Sequence, residues 1–191
     1  MRVIAGTARS VPLKAPRGDE TRPTADKIKE TLFNILQADV PDCVFVDLFS
    51  GSGGVGIEAL SRGAHKALFC DRSKEAVDCI NANLEKCRLA DKAVVYRTEA
   101  EAALARVRSF IEDDRDTIFF LDPPYDRGLE YPVIERLVSE GLLRGCDILV
   151  AEKSNDRDTM EEFTQLCERL SLDIYKVKTY KNQQHVFIRK A

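Results

Sequence analysis

Residues 44–56, Val-Phe-Val-Asp-Leu-Phe-Ser-Gly-Ser-Gly-Gly-Val-Gly, decide the fold of this chain. The first five are apolar except for Asp47, and a short apolar run of this kind is typical of a buried strand. Gly51, Gly53 and Gly56 follow with the spacing G-x-G-x-x-G. Glycines let the backbone turn tightly and approach a ligand without a side-chain clash. The stretch therefore predicts a strand, a ligand-binding loop and a helix in succession.

Strands and helices alternate along the rest of the chain. Apolar residues at helical spacing predict a helix over 25–38, with Thr24 as its N-cap and Pro41 at its end, and Ser73 is expected to cap another. Short apolar strands separated by helices form a mostly parallel sheet that helices cover on both faces, and the last two strand-like runs add an antiparallel hairpin. The predicted strands are 44–48, 67–71, 94–96, 118–121, 148–151, 172–180 and 185–190, and further helices are predicted over 54–62 and 100–110.

This pattern predicts an α/β, Rossmann-like fold with a mostly parallel seven-stranded sheet. Residues 1–23 contain several proline and glycine breakers and predict a basic arm or hairpin, and residues 24–191 predict a single domain. A chain of 191 residues with 44% hydrophobic and 32% charged residues is ordinary for one globular domain. No apolar run approaches the roughly 18 residues of a membrane span, and residues 1–6 break too soon for a signal peptide. We therefore expect a cytoplasmic protein.

The six cysteines and two histidines do not predict a metal site. No two of the cysteines form a C-x-x-C pair, and most lie within apolar stretches. A structural zinc site needs closely spaced thiolate and imidazole ligands, which this pattern does not offer. We expect buried, reduced thiols and no bound metal.

Asp71 completes the pattern of a nucleotide-binding loop. It lies twenty positions after Gly51 at the end of the second predicted strand, where an acid can bind a ribose hydroxyl. Two cofactors fit, a nicotinamide dinucleotide and S-adenosylmethionine (AdoMet). Asp47 favours AdoMet, because its carboxylate would repel a diphosphate and attract a cationic methionine amino group. In the loop after the third strand, Glu99 is either a contact to the adenine amino group or a carboxylate favoured by the helix dipole.

The fourth predicted strand ends in Asp122-Pro123-Pro124-Tyr125. Two consecutive prolines cannot donate backbone hydrogen bonds or extend the strand, so they leave carbonyl groups free to accept. Asp122 adds a carboxylate acceptor, and Tyr125 adds an aromatic face for stacking. These groups suit a flat base with an exocyclic amino group, held in line with a sulfonium methyl group.

Both ends of the chain are basic. Residues 1–18 contain Arg2, Arg9, Lys14 and Arg17 and no acid, and residues 174–191 contain five Lys or Arg residues and no acid. If both ends fold onto one face, that face can bind phosphates through release of counterions. Arg22 and Thr24, at the start of the first helix, are further candidates for contacts with a substrate or cofactor.

The chain resembles the bacterial 16S ribosomal RNA guanine-N2 methyltransferases. The motifs that carry the resemblance are the arm Arg2-Val3-Ile4-Ala5-Gly6, Arg22-Pro23-Thr24, Leu32-Phe33-Asn34-Ile35-Leu36, the loop and helix 47–64, and Asp122-Pro123-Pro124-Tyr125. The chain departs from the family pattern at three places. The family commonly has Glu where Asp71 stands, and it often has Asp or Asn where Glu99 stands. It often has Tyr-Gly where this chain has Tyr180-Lys181.

The resemblance implies an AdoMet-dependent methyltransferase fold and methylation of the N2 atom of a guanine in the helix-31 loop of 16S rRNA. The substrate would be an assembling 30S particle, since the chain has no separate RNA-binding domain, and we expect a monomer. The expected catalytic residues are Asp122, Pro123, Pro124 and Tyr125, and the expected RNA-binding residues are Arg2, Arg9, Arg22 and Thr24. The expected cofactor-binding residues are Asp47, Phe49, Gly51, Ser52, Gly53, Gly56, Asp71, Arg72, Ser73, Glu99 and Ala100.

Three other functions remain open from the sequence. A DNA adenine-N6 methyltransferase would use the same chemistry on a flipped base, but residues 126–191 show no insert for target recognition. A non-catalytic module could retain AdoMet affinity and only escort RNA. An NAD-dependent oxidoreductase is disfavoured by Asp47 and by the lack of an evident acid or base for hydride transfer.

Overall fold

The computed structural model describes residues 1–16, 23–124 and 128–191. The described residues form six α-helices and seven strands, joined in one sheet. The helices are α1 (Pro23–Ile35), α2 (Gly54–Ser61), α3 (Lys74–Cys87), α4 (Ala100–Phe110), α5 (Glu130–Ser139) and α6 (Arg157–Arg169). The strands are β1 (Val44–Asp47), β2 (Lys66–Asp71), β3 (Ala93–Arg97), β4 (Thr117–Leu121), β5 (Ile148–Ser154), β6 (Leu172–Thr179) and β7 (Gln183–Lys190).

The sheet has the order β3-β2-β1-β4-β5-β7-β6. Strands β1 to β5 pair in parallel, and β7 lies antiparallel between β5 and β6. The direction in which successive strands are added reverses between β1 and β4. Ligands bind at the carboxyl ends of the strands beside such a switch point. The predicted Rossmann-like architecture, with its C-terminal antiparallel hairpin, is confirmed.

Two apolar layers hold helices on opposite faces of the sheet. On one face, α1, α2 and α3 pack on side chains such as Phe45 and Phe120. On the other, α4, α5 and α6 pack on side chains such as Val46 and Phe119. Neighbouring residues of one strand belong to different layers because side chains alternate across a sheet, which explains the continuous apolar runs of the central strands.

The N-terminal segment packs on the first of these layers. Val3, Ala8 and Leu13 are buried in it, and Arg2 and Pro12 form an isolated antiparallel bridge. Glu58 of α2 accepts hydrogen bonds from the backbone N–H groups of Ile4 and Ala5 at 2.8 and 3.0 Å. These contacts fix the segment against the helix that follows the glycine loop.

The helix boundaries differ from prediction mainly at α1. The helix begins at Pro23, so Thr24 is its second residue and not its N-cap, in keeping with the preference of proline for the first helical position. It ends at Ile35 because the chain turns immediately, with the N–H groups of Asp39 and Val40 both bonded to the carbonyl of Leu36. Leu36 and Val40 are both buried, which made the apolar spacing look helical beyond the true end.

Cysteine burial follows prediction with one exception. All six cysteines lie in the described part of the chain and carry free thiols. Cys146 is exposed, because it lies in the turn before β5, whereas the other five are buried. Within the described ranges, no helix combines the length and the apolar character needed to cross a bilayer.

Candidate active site

A cleft of about 550 Å³ opens at the carboxyl ends of the central strands. It is lined by the loop after β1, by Asp122 after β4, by Glu152 in β5 and by the turn between β6 and β7. Met1 and Lys29 also line it. Five predicted site residues therefore share one cavity, namely Asp47, Phe49, Gly51, Ser52 and Asp122.

Ser50 fixes the loop after β1 to the neighbouring strand. Its hydroxyl donates to the carbonyl of Asp47 at 2.8 Å and accepts from the N–H of Cys70 at 2.9 Å. The carbonyl of Ser50 accepts from the N–H of Gly53, and Gly51 and Gly53 both have positive φ angles, 52° and 76°. Residues that carry a side chain rarely adopt positive φ angles, so glycine permits this tight turn.

Asp47 is a buried carboxylate at the floor of the cleft. Its side chain is 1% exposed, and among the described residues Oδ1 has no hydrogen-bond partner. Burial raises its pKa from 3.8 to about 7, and backbone N–H groups of Gly56 and Phe49 oppose the rise. An orphaned carboxylate oxygen that lines a cavity is costly unless a donor or cation reaches it, so the geometry suits a cationic group in the cleft.

Gly56 does not line the cleft, although it belongs to the same glycine pattern. A Cβ atom at this position would lie 2.4 Å from the ring of Phe69. The glycine therefore permits α2 to pack closely against β2. A Cβ atom at Gly53 would similarly lie 3.2–3.3 Å from the side chains of Ile57 and Ile80.

Asp71 joins the loops after β1 and β2. One carboxylate oxygen accepts from the N–H of Gly51 at 2.9 Å, and the other accepts from the N–H of Ser73 at 2.8 Å. The Ser73 hydroxyl accepts from Ala76 and caps α3, as predicted. These two bonds hold the loops side by side at the edge where the predicted fingerprint places a ribose.

Glu99 lies at the start of α4 and is largely exposed. It occupies the N-cap position but makes no side-chain capping bond, and one carboxylate oxygen lies 3.8 Å from a guanidinium nitrogen of Arg72. Ala100 is the first residue of α4 and is buried. Glu99 and Arg72 thus form an exposed pair after the ends of β3 and β2, beside Asp71.

The predicted catalytic motif is described as far as Pro124. Asp122 lines the main cleft, whereas Pro123 and Pro124 line a smaller neighbouring cavity of about 270 Å³. Pro123 is buried and Pro124 is exposed. Tyr125 lies outside the described residues.

The predicted RNA-binding residues are only partly described. Arg2 and Arg9 are exposed, and Arg2 has its guanidinium 3.6 Å from Asp26. Arg22 and the side chain of Thr24 lie outside the described part of the chain. Lys181, in the turn of the basic C-terminal hairpin, and Met1 line the cleft, whereas Arg2 and Arg9 line a separate surface pocket.

Sequence reasoning missed a row of polar groups from β5 to β7. His185 Nε2 lies 3.1 Å from Glu152 Oε2, and its Nδ1 lies 3.2 Å from the hydroxyl of Tyr180. All three side chains line the cleft, and His185 is 1% exposed. Burial, and next the charge of Glu152, raises the pKa of Tyr180 to about 12, so the phenol retains its proton at neutral pH.

Two further buried polar residues support the loop and were also missed. The amide of Asn83 donates to the carbonyls of Ser52 and Lys14 at 2.9 and 3.0 Å, which ties the glycine loop to the N-terminal segment. Lys29 is 3.3 Å from Glu58, and its ammonium donates to the carbonyl of Arg2 at 2.7 Å. Burial lowers its pKa, with Glu58 opposing the shift. Polar residues within an amphipathic helix give no sequence signal that separates these roles from solvent exposure.

A family model described as Conserved hypothetical protein 95 matches residues 1–188. The chain belongs to this family. A relative from Bacillus subtilis (strain 168), YlbH, described as a candidate rRNA methyltransferase, is 38% identical over 164 residues, or 84% of this chain and 86% of the relative. Ribosomal RNA small subunit methyltransferase D of Haemophilus influenzae is 31% identical and covers 95% of this chain and 94% of its own length.

Solved structures support the same assignment. The Escherichia coli protein yhhF, described as a candidate methyltransferase, superposes with a TM-score of 0.78 at 27% identity and covers 100% of this chain and 97% of its own. The resemblance to the bacterial small-subunit rRNA methyltransferases is therefore confirmed by family, by relatives and by fold.

Proposed function

We propose that this chain methylates the exocyclic N2 atom of a guanine in 16S rRNA, with AdoMet as methyl donor. The rRNA substrate is supported by its relatives, which include the small-subunit rRNA methyltransferase D of Haemophilus influenzae. The helix-31 loop as target and the 30S particle as substrate follow from the family resemblance. The observation that carries the proposal is that Asp47 and Asp122 open on the same cleft, one deeply buried and one at its side.

The residues present fit AdoMet. Asp47 Oδ1, which lacks a described hydrogen-bond partner, would bind the methionine ammonium group. A Cβ atom built on Gly51 would meet nothing within 4 Å, so the backbone leaves space for the cofactor there. Asp71 would bind the ribose, and the edge formed by Glu99 and Ala100 would lie against the adenine. When bound, AdoMet would supply an electrophilic methyl group, so that a C–N bond forms as a C–S bond breaks and the nitrogen then loses one proton.

Asp122 would hold the target amine. An exocyclic amine is a poor nucleophile because its lone pair is delocalised into the ring. A carboxylate that accepts its hydrogens favours the pyramidal nitrogen that can attack, and it fixes the direction of the lone pair. The carbonyl of Pro123 would accept a second hydrogen, and Tyr125 would stack on the base.

The proposal predicts that Asp122→Ala abolishes methyl transfer and leaves AdoMet affinity nearly unchanged. Removing a group that acts mainly in the transition state lowers kcat rather than cofactor binding, and we expect a loss of about 100-fold or more. The assay supplies AdoMet with a labelled methyl group to 30S particles that lack the modification, and calorimetry measures AdoMet affinity. Asp114→Ala is the matched control, because Asp114 lies before β4 at the opposite end of the same strand.

Mass analysis of the labelled nucleoside separates the alternatives. Methylguanine supports the proposal, whereas methyladenine in DNA would indicate the adenine-N6 reaction. No incorporation into any deficient 30S particle would overturn the proposed function. Near-normal turnover of Asp122→Ala would show that the catalytic assignment is wrong.

A further inference from the structure

The sheet register places a second carboxylate beside Asp122. Leu121 of β4 is paired with Ala151 of β5, so Asp122 and Glu152 take the next position on adjacent parallel strands. Side chains at paired positions point to the same face, and neighbouring strands lie about 4.8 Å apart. Both residues line the same cleft. A base held by Asp122 in this cleft would therefore lie within reach of Glu152.

Glu152 is held in a fixed position by the antiparallel strand β7. His185 is its direct cross-strand partner, and the two side chains are joined at 3.1 Å. Tyr180 meets the other ring nitrogen of His185 at 3.2 Å, and the ring of Phe120 packs edge-on against the imidazole at 6.0 Å. Glu152 is 8% exposed, so this chain of contacts defines where its carboxylate faces the cleft.

Two adjacent carboxylates match the hydrogen-bonding edge of guanine. Guanine presents the N1–H and N2–H2 donors side by side, and a carboxylate pair can accept from both through charge-assisted bonds. Adenine presents its N6–H2 donor beside the N1 acceptor, whose lone pair would face a carboxylate. Burying two acceptors against each other leaves both unsatisfied and costs free energy.

We propose that Glu152 determines the specificity for guanine by accepting the N1–H while Asp122 holds the N2 amine, and that His185 positions Glu152. This inference rests on the proposed function and names the feature of the base that the site recognises. His185 acts through Glu152 and is a positioning residue. Lys29 and Lys181 also line the cleft, and they offset part of the negative charge that Asp47, Asp122 and Glu152 place there.

The test compares guanine with 2-aminopurine, which keeps the N2 amine but has an acceptor at N1. Particles of 30S are reconstituted from ligated 16S rRNA that carries either base at the position the wild-type protein methylates. We expect the wild-type protein to prefer guanine by at least about 10-fold in kcat/KM, the usual effect of one unpaired charge-assisted hydrogen bond. Glu152→Gln should lower activity on guanine and bring the ratio of the two substrates close to one, because an amide can donate to the N1 acceptor.

Matched variants distinguish the positioning role of His185 from a general effect of substitution on folding. Glu162→Gln makes the same change in the neighbouring cavity and should keep the wild-type ratio. His185→Leu should reduce the ratio, whereas His185→Gln should retain most of it, since its amide can still donate to Glu152. Circular dichroism and AdoMet affinity show that each variant is folded.

The outcomes distinguish the two proposals. If Glu152→Gln retains the wild-type preference while the wild-type protein methylates guanine N2, this inference is wrong and the proposed function stands. If the wild-type protein labels neither particle, both fail. A loss of activity in His185→Leu with an unchanged ratio of the two substrates would remove the positioning role of His185.

Discussion

Asp47 links the stability of the protein to the binding of its proposed cofactor. Its carboxylate is buried, one oxygen lacks a partner among the described residues, and burial raises its pKa to about 7. Between pH 4 and pH 7 the folded state therefore retains a proton that the unfolded state has released. Stability from this group is greatest at low pH and declines as the pH rises towards 7. A cation bound at Asp47 would offset the loss of stability at higher pH, because it favours the charged form of the carboxylate.

Asp47→Asn should therefore be more stable than the wild-type protein at pH 8 and nearly equal to it at pH 4. The full shift corresponds to roughly 4 kcal/mol at most, since each pKa unit is worth about 1.4 kcal/mol, and local relaxation will reduce it. Denaturant unfolding at the two pH values measures the difference. AdoMet affinity at pH 8 should fall at the same time, whereas Asp91→Asn, on the exposed surface, should change neither quantity. Equal stability of Asp47→Asn and wild type at pH 8 would contradict the ionisation argument.

The loop and helix from Ser50 to Ser61 contain glycines with different structural roles. Gly51 and Gly53 take positive φ angles in the turn, whereas Gly56 lies in α2 where any residue could adopt the backbone angles. At Gly56 the constraint is space, since the ring of Phe69 lies where a Cβ atom would be. The three glycines of this sequence pattern thus serve both the tight turn after β1 and a helix–sheet contact.

Gly56→Ala should destabilise the fold by about 1–3 kcal/mol, the usual cost of overpacking a core. The added methyl group would force α2 away from β2 or displace Phe69, which is fully buried. Gly145→Ala is the matched control, because its Cβ atom would meet nothing within 4 Å and its φ angle is not in the left-handed region. Thermal or denaturant unfolding gives the comparison. A Gly56→Ala protein as stable as Gly145→Ala would mean that the contact with Phe69 relaxes without cost.

Local sequence patterns predicted the helices and strands well, but they did not predict which strands pair when these are distant in sequence. The predicted helix over 100–110 coincides with α4, and Ser73 caps α3, because these features depend on neighbouring residues. The last two strands were predicted as a hairpin, but nothing local shows that β7 inserts between β5 and β6. Glu152 and His185 meet only through that insertion. The sequence therefore predicted Asp47 and Asp122 at the site and missed the residues that β7 adds.

At the scale of the whole molecule, only part of the basic ends of the chain reaches the cleft, since Arg2 and Arg9 line a separate pocket and Lys190 lies at the far end of β7. The protein as a whole has a net charge of −3, so affinity for rRNA depends on where its cations lie. The N-terminal segment and the turn of the C-terminal hairpin flank the cleft through Met1 and Lys181. In the proposed reaction, an RNA strand whose target base enters the cleft would pass this turn, and each Lys or Arg that meets a phosphate there would release counterions.

Lys181→Glu should weaken binding to 30S particles and reduce the salt dependence of binding, with a change of about one in the slope of log K against log salt concentration. Lys190→Glu is the matched control, because Lys190 is also exposed but lies at the far end of β7, paired with Leu172. Both variants change the net charge equally, so a purely global electrostatic effect would lower the affinity of both alike. Filter binding at several salt concentrations separates the two cases. A larger loss for Lys190→Glu would place the RNA path across the opposite end of the hairpin, away from the cleft that holds Asp47 and Asp122.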